Sequence, residues 1–433
     1  MDTFLAGIRR LIPVKLFNAL NPAYHWTLAF LWALVCRFPS RRIKVIAVTG
    51  TKGKSTTAEI LNAIIEQAGH RTAVSNTIRF KIGDDSRPNL YKMSVPGRGF
   101  TQRFLRKAVN AGCEYAVIEM TSQGSLLYRH RFIQLDAFVF TNISPEHIEA
   151  HGSFEAYREA KLDIVRDGIG HSNKKDRLIV VNGDDPDSSR FSEVVGDRNV
   201  KKIKFSVKDV EPYEIRKEGL AFMWHDKPVV SPLSGLFNLY NILAAAVTAS
   251  NLGVGDDDVI AAITKFKDIP GRVEEVNVGQ DFKVIVDYAH TADSLEKLYK
   301  IFRPYPKAPR TNKLIAVLGG TGGGRDTSKR AVMGGLADKY CDVVILTDED
   351  PYDEAPNKIV ADVAAGIVSK KPTTLMDRRL AIREAISRAQ KGDVILITGK
   401  GTDPYIMGPR GTKTPWSDAR IAREELEEKG RRK

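Results

Sequence analysis

Val48-Thr49-Gly50-Thr51-Lys52-Gly53-Lys54-Ser55-Thr56-Thr57 is the stretch on which the reading of this chain turns. It follows the short β-branched run Lys44 to Val48. It precedes a helical period that begins at Ser55 and continues through Ala58, Leu61, Ile64 and Ile65. The order is strand, loop, helix. Glycines let such a backbone curl until its amides point inward at phosphate oxygens, and the helix N-terminus adds positive potential. Lys54 is placed to meet terminal phosphates, and Ser55 to offer a hydroxyl to Mg²⁺. The spacer between Gly50 and Gly53-Lys54 is only Thr51-Lys52, shorter than in the widespread nucleotide-binding loop. The plainer alternative is a glycine-rich turn without a ligand, and the flanking strand and helix argue against it.

Working outward, continuous apolar runs recur at Tyr115 to Ile118, Ala137 to Thr141, Leu178 to Asn182, Lys283 to Asp287, Leu314 to Leu318, Val343 to Leu346 and Val394 to Ile397. Continuous rather than alternating runs imply strands covered on both faces, hence parallel α/β sheets. The fold class is α/β: a central phosphate-loop ATPase domain with a mostly parallel sheet, then a C-terminal Rossmann-like domain. Residues 1–41 read as a short basic and apolar segment, 42–268 as the ATP-binding domain and 269–433 as the second domain. The breaker Ile269-Pro270-Gly271-Arg272 opens the last of these. Ala419 to Lys433 reads as a charged, amphipathic terminal helix.

Hydrophobic residues at 42% and charged residues at 27% exclude a disordered or fibrous chain. The net charge of +13 is concentrated early: Arg9, Arg10, Lys15, Arg37, Arg41, Arg42 and Lys44 face one acid, Asp2, in the first 44 residues. No basic stripe interleaved with aromatics suggests nucleic acid, and phosphorylated small molecules explain basic pockets equally well. Cys36, Cys113 and Cys341 lie far apart without metal or disulfide spacing, as in a reduced cytoplasmic chain. The stretch 16–36 lacks Asp, Glu, Lys and Arg, yet its dense apolar part, Trp26 to Cys36, is too short to span a bilayer. It is expected as a helix packed on the following domain, with a basic, Trp-bearing helix at the inner membrane face as the second reading.

A catalytic Mg²⁺ needs a carboxylate, and the run Tyr115 to Ile118 delivers Glu119, followed by Met120-Thr121-Ser122. The next strand ends in Thr141-Asn142-Ile143-Ser144-Pro145-Glu146-His147-Ile148-Glu149-Ala150-His151-Gly152, with Tyr157 and Lys161 behind. A lone histidine is more often a structural hydrogen bonder than a ligand. Two histidines and two glutamates within Glu146 to His151 shift that balance. Lys161, on helical spacing alone, reads as a solvated helix lysine.

These residues resemble the Mur ligases, the ATP-dependent amide ligases of bacterial cell-wall peptide synthesis. The phosphate loop, Glu119, the Asn142 to Gly152 segment and Lys161 carry the resemblance. So do Gly235-Leu236-Phe237-Asn238 with Asn241, Gly271-Arg272, and Asp287-Tyr288-Ala289-His290-Thr291. Gly323 to Arg330, Thr347-Asp348-Glu349-Asp350-Pro351 and Gly399-Lys400-Gly401 are most similar to the tripeptide-synthetase branch, which adds L-lysine or meso-diaminopimelate to UDP-N-acetylmuramoyl-L-alanyl-D-glutamate. The resemblance implies that the γ-phosphate of ATP passes to a carboxylate, and that an amine then displaces phosphate from the acyl phosphate. It implies a catalytic set of Lys54, Glu119, His147, Lys161 and Arg272. Ser55 and Glu119 would hold one Mg²⁺, and His147 with a carbamylated Lys161 a second. The nucleotide would lie on Gly50, Thr51, Lys52, Gly53, Lys54, Ser55 and Thr56, with Asn238 and Asn241 on the adenine side and Arg272, Asp287 and His290 arriving from the second domain. Ser94, Thr121, Ser122 and Arg129 would meet the muramoyl-peptide acceptor. The free amino acid would meet Arg325, Glu349, Asp350, Tyr352, Gly399 and Asp403. A monomer is expected.

Three departures from the family pattern matter. The 41 residues before the first strand are too few for the family's UDP-gripping domain. Glu349-Asp350-Pro351-Tyr352 stands where diaminopimelate-adding enzymes have Asp-Asn-Pro-Arg, and Gly399-Lys400-Gly401-Thr402-Asp403 replaces Gly-Lys-Gly-His-Glu. Tyr352 cannot pair with a carboxylate as Arg does, so an acid-rich pocket for an amine-tipped side chain is expected. Near the acceptor, Leu127 replaces a usual Gln, and Ser94-Val95-Pro96-Gly97 lacks the usual threonines. The alternatives are a folylpolyglutamate synthase of the same superfamily, compatible with Lys52, and a nucleotide-binding subunit that does not ligate.

Overall fold

The computed structural model describes residues 14–97, 99–146, 148–196, 198–216, 219–303 and 312–431, with side chains from residue 20 onward. The chain divides into two compact units, Met1–Phe266 and Lys267–Lys433.

In the first unit one sheet is built from β1 (Lys44–Thr49), β2 (Thr72–Ser75), β3 (Arg79–Ile82), β4 (Asp85–Pro88), β5 (Tyr115–Glu119), β6 (Ala137–Phe140), β7 (Leu178–Asn182) and β8 (Lys201–Phe205), in the order β4-β3-β2-β5-β1-β6-β7-β8. From β2 to β8 the neighbours are parallel; β3 and β4 form an antiparallel edge. The continuous apolar runs are explained by the alternation of their side chains. Ile46 and Val48 point into a core with Val117, Val139, Ile64 and Leu243, and Val45 and Ala47 into another with Ala116, Phe138, Leu105 and Leu162. Helices Lys54–Gln67 and Leu236–Asn251 cover the first face; Phe100–Asn110 and Phe154–Gly168 cover the second. Because β1 is central, the loop that follows it opens between the carboxyl ends of β5 and β6, where a doubly wound sheet binds ligands.

A small antiparallel sheet, β9 (Glu214–Arg216), β10 (Gly219–Trp224) and β11 (Lys227–Ser231), completes the unit. Its β10–β11 turn is His225-Asp226, with φ of 43° and 64°. Both central residues are left-handed, as in a type I′ hairpin turn.

Ahead of the sheet runs the helix Val14–Val35. Trp26 and Phe30 pack on Phe132 with ring centroids 5.3 and 5.4 Å away, and Arg103 lies 4.4 Å over the Trp32 ring. The packed-helix expectation therefore describes one side. The other side leaves Leu20, Tyr24, Leu31, Leu34 and Val35 exposed. Among the described residues no helix is long and apolar enough to cross a membrane.

The second unit repeats the layered plan with β12 (Glu274–Glu275), β13 (Lys283–Asp287), β14 (Leu314–Leu318), β15 (Val343–Leu346), β16 (Thr373–Thr374) and β17 (Val394–Thr398), ordered β12-β13-β17-β14-β15-β16. All pairs but β12–β13 are parallel. A two-stranded ribbon, β18 (Tyr405–Met407) and β19 (Lys413–Pro415), and the terminal helix Asp418–Arg431 follow. Arg378 and Asp418, 2% and 0% exposed, pair through Nε–Oδ1 at 2.8 Å and Nη2–Oδ2 at 2.7 Å, and Arg378 also donates to the Thr398 carbonyl. This ties the terminal helix to the end of β17. Removing one partner strands the other charge in the core, so Arg378→Ala is expected to destabilise this unit by about 3–5 kcal/mol. Urea unfolding of the full chain, followed by Trp416 fluorescence, checks it; a shift under about 1 kcal/mol would show the pair to be dispensable.

Candidate active site

The loop after β1 is held in shape by the segment after β6. Thr51 N–H donates to the Asn142 carbonyl at 2.8 Å. Lys52 N–H donates to Asn142 Oδ1 at 2.9 Å, and Asn142 Nδ2 and Thr141 Oγ1 both donate to the Lys52 carbonyl, at 3.1 and 2.7 Å. The Tyr157 hydroxyl lies 2.9 Å from Thr51 Oγ1. From the helix side, Asn241 Oδ1 accepts from Thr57 Oγ1 at 3.4 Å. Gly50 and Gly53 have φ of 153° and 83°, and a Cβ on them would fall 2.0 Å from Thr141 Oγ1 and 2.2 Å from Asn241 Oδ1. Only glycine fits either place.

Glu119, 3% exposed at the end of β5, receives the Ser55 hydroxyl on Oε2 at 2.6 Å and the Ser94 hydroxyl on Oε1 at 2.7 Å. Thr77, just after β2, adds its N–H at 3.2 Å and its hydroxyl. Burial raises the carboxyl pKa, but Lys54 and these donors together bring it below its ordinary value. Ser94, expected at the acceptor, thus stands on Glu119 and 2.6 Å from Thr77 Oγ1.

Lys161 is 2% exposed, so the solvated-lysine reading does not hold. Its Nζ donates to the Gly50 carbonyl at 2.7 Å and lies 4.8 Å over the Tyr157 ring. Lys54 Nζ donates to the same carbonyl at 3.1 Å and to that of Thr51 at 2.9 Å. Burial, reinforced by the charge of Lys54, lowers the Lys161 pKa well below the lysine range. Lys52 pairs with Glu146 at 2.8 Å. His147 lies outside the described residues.

Asn238 donates to the Ser234 carbonyl and accepts from Asn241 Nδ2, so the asparagine pair braces the loop from beneath. Thr121 caps the helix Ser122–Leu126 by accepting from Gly124 N–H, and Ser122 is buried beside it. Arg129 Nη1 donates to the Val95 carbonyl.

In the second unit the structure gathers two groups. Arg272 lies 4.5 Å over the Tyr288 ring, Asp287 accepts from Val273 and Ala289 N–H groups, and His290 Nδ1 is 2.8 Å from the Tyr288 carbonyl. The other group surrounds Lys400, fully buried, whose Nζ donates to Asp350 Oδ1 at 2.8 Å and lies 3.6 Å from Asp403. Glu349 accepts from Thr321 Oγ1, its Oε2 has no hydrogen-bond partner, and a Cβ on Gly399 would fall 2.2 Å from that oxygen. Tyr352, at φ 53°, has the Arg325 guanidinium 6.0 Å from its ring. The acid-rich expectation is modified here, because Lys400 neutralises part of the charge.

The family model for the Mur ligase middle domain matches residues 48–249, and that for the Mur ligase glutamate ligase domain matches 271–401. A 2,6-diaminopimelate-adding ligase of UDP-N-acetylmuramoyl-L-alanyl-D-glutamate from Geobacillus kaustophilus is 37% identical over 402 residues, covering 90% of this chain and 80% of the relative. The chain belongs to the Mur ligase family. A UDP-N-acetylmuramyl-tripeptide synthetase from Roseiflexus is 36% identical over 414 residues, 90% of this chain and 80% of its own. A solved 2,6-diaminopimelate ligase of the same description superposes with a TM-score of 0.62 at 28% identity, over 90% of this chain and 79% of that one. Mycobacterium tuberculosis folylpolyglutamate synthase, TM-score 0.68 at 17% identity over 87% and 93%, shares the fold.

As a Mur ligase the protein is an ATP-dependent ligase, and that family uses Mg²⁺ with its ATP. The residues present fit that ion. Ser55 and Glu119 form an all-oxygen pair beside the loop, and among the described residues no cage of three His, Cys, Asp or Glu competes with it. Magnesium ordinarily takes one or two protein oxygens plus phosphates, not a protein cage. Thr77 and the bracing roles of Asn142, Tyr157 and Lys400 were not assigned from sequence; recognising β2 would have pointed to Thr77. Gly53→Ala is expected to leave the fold intact but weaken ADP binding about tenfold or more, from strain of order 1–3 kcal/mol at the loop. Titration calorimetry reads this, and unchanged affinity would remove the loop from the nucleotide site.

Proposed function

We propose that this Mur ligase activates the terminal carboxylate of a muramoyl-L-alanyl-D-glutamate acceptor with ATP and joins it to the amine of a free diamino acid. The observation that carries the reading is the Ser55–Glu119 oxygen pair beside the loop on whose Gly50 carbonyl two lysines, Lys54 and Lys161, converge. Residues 42–268 would supply the ATP half and residues 269–433 the amino-acid half.

In this reading the loop amides and Lys54 orient the phosphates, and Ser55 with Glu119 holds one magnesium. Lys161, whose charge burial disfavours, would carry a carbamate that with His147 would hold a second. Magnesium there supplies neutralisation of the charge that develops as the γ-phosphoryl moves. Arg272 and Asp287 would act from the second domain, after a closure that excludes water from the acyl phosphate. Asn238 and Asn241 lie on the adenine side, His290 belongs to the nucleotide set, and Ser94, Thr121, Ser122 and Arg129 serve the acceptor.

L-lysine is the favoured amine. Tyr352 offers no cation for a distal carboxylate, while Glu349 has an oxygen without a partner; Arg325 would take the backbone carboxylate. The relatives named for diaminopimelate, at up to 37% identity, support meso-diaminopimelate as the second reading. Phosphate release from ATP, measured with the acceptor and a panel of amino acids, is expected only with a diamino acid, lysine giving the highest kcat/KM. Absence of amine-dependent release throughout would sink the ligase assignment, and Lys161→Ala should abolish release until acetate or bicarbonate is added.

The protein is further read as a cytoplasmic monomer whose residues 1–41 rest on the inner membrane face. The exposed Leu20, Tyr24, Leu31, Leu34 and Val35 stripe ends beside exposed Arg37, Arg41 and Arg42. Flotation with vesicles rich in phosphatidylglycerol but not with neutral vesicles is expected; equal behaviour with both would discard this contact.

A further inference from the structure

His151 follows the segment that braces the loop, and no role has been assigned to it. Its ring stands edge-on to Tyr157, centroids 5.2 Å apart, and both ring nitrogens are buried without a hydrogen-bond partner. A buried imidazole with two idle nitrogens is costly unless something else meets them. Tyr157 is also the ring over which Lys161 Nζ sits, 4.8 Å from its centroid, and its hydroxyl is fixed by Thr51. Lys161 and His151 therefore both contact the Tyr157 ring. Burial first, and then the charge of Lys161, lowers the His151 pKa.

We propose that His151 is a positioning residue that donates a ring N–H to an oxygen of the carbamate on Lys161. The inference rests on the carbamate reading above. To form the group, the neutral Nζ of Lys161 bonds the carbon of CO₂, a C=O electron pair moves onto oxygen, and one N–H proton leaves to water. The product carries an anionic oxygen pair where the unmodified lysine had only donors. Nothing else assigned to the site gives that anion a side-chain donor on the Tyr157 side. A neutral imidazole keeps one N–H, so it can serve this purpose without carrying charge next to the metal. The alternative recipient, an oxygen of the transferred phosphoryl group, is separated from it by the experiment.

The full chain, its His151→Asn and His151→Gln variants and Lys161→Ala are incubated with ¹³C-bicarbonate and followed by carbonyl NMR, with ADP binding confirming that each is folded. A carbamate signal is expected in the parent and absent in Lys161→Ala. In the His151 variants, half-saturation should require about tenfold or more bicarbonate, as for loss of a hydrogen bond to an anion. Turnover in those variants should recover as bicarbonate is raised, and the amide that best reproduces the donating nitrogen should recover most. No labelled signal in the parent would overturn the carbamate reading and this inference with it. A parent-like bicarbonate dependence in both variants would overturn the inference alone, including the case in which turnover falls at unchanged carbamate occupancy.

Discussion

The carbonyl of Gly50 is the point on which the first unit depends. It accepts hydrogen bonds from both Lys54 and Lys161, one from the helix that follows the loop and one from a helix far along the chain. Two ammonium groups cannot share a carbonyl in a buried place without cost, and the one with less water has its pKa lowered further. Lys161 is that one, since burial and the neighbouring Lys54 both act against its charge. The loop geometry thus disfavours a charged lysine at this position. Thr141, Asn142, Tyr157 and Asn241 keep the carbonyl aimed that way, because together they fix the backbone from Gly50 to Gly53 on both sides.

Glu119 shows the opposite outcome from similar burial. It is desolvated as well, yet four donors from Ser55, Ser94 and Thr77, with the charge of Lys54, hold it ionised. A base whose charge is disfavoured and an acid whose charge is favoured thus stand beside the same loop. Lys54 contributes to both, second to burial at Lys161 and alongside the hydroxyl and amide donors at Glu119.

Much of this was legible because parallel strands announce themselves. β1, β5, β6 and β7, and β13 to β15 with β17, are continuous apolar runs whose alternate side chains feed two cores, and a glycine loop after the central strand could be read directly. What escaped was specified by tertiary partners. β2 is only Thr72–Ser75, with polar ends, and its burial comes from lying between β3 and β5, so Thr77 went unseen. The β10–β11 turn uses His225-Asp226 instead of a glycine-bearing pair, which removes the usual hairpin signal. Lys161 had the spacing of a surface residue, and only the placement of the loop above it reveals that it is buried.

The second unit shows why counting charges along a motif misleads. Glu349, Asp350 and Asp403 are close in space, and as a list they predict a strongly negative pocket. Lys400 is fully buried among them and bonds Asp350, which is also fixed by Met407 N–H. Asp350 is therefore committed to shaping the β18 ribbon against the strand ends, and Asp403 shares the same cation. Glu349 differs: burial raises its pKa, its Oε1 takes one hydroxyl, and its Oε2 takes none. A carboxyl in that state has unused acceptor capacity, whereas Asp350 is already engaged by Lys400.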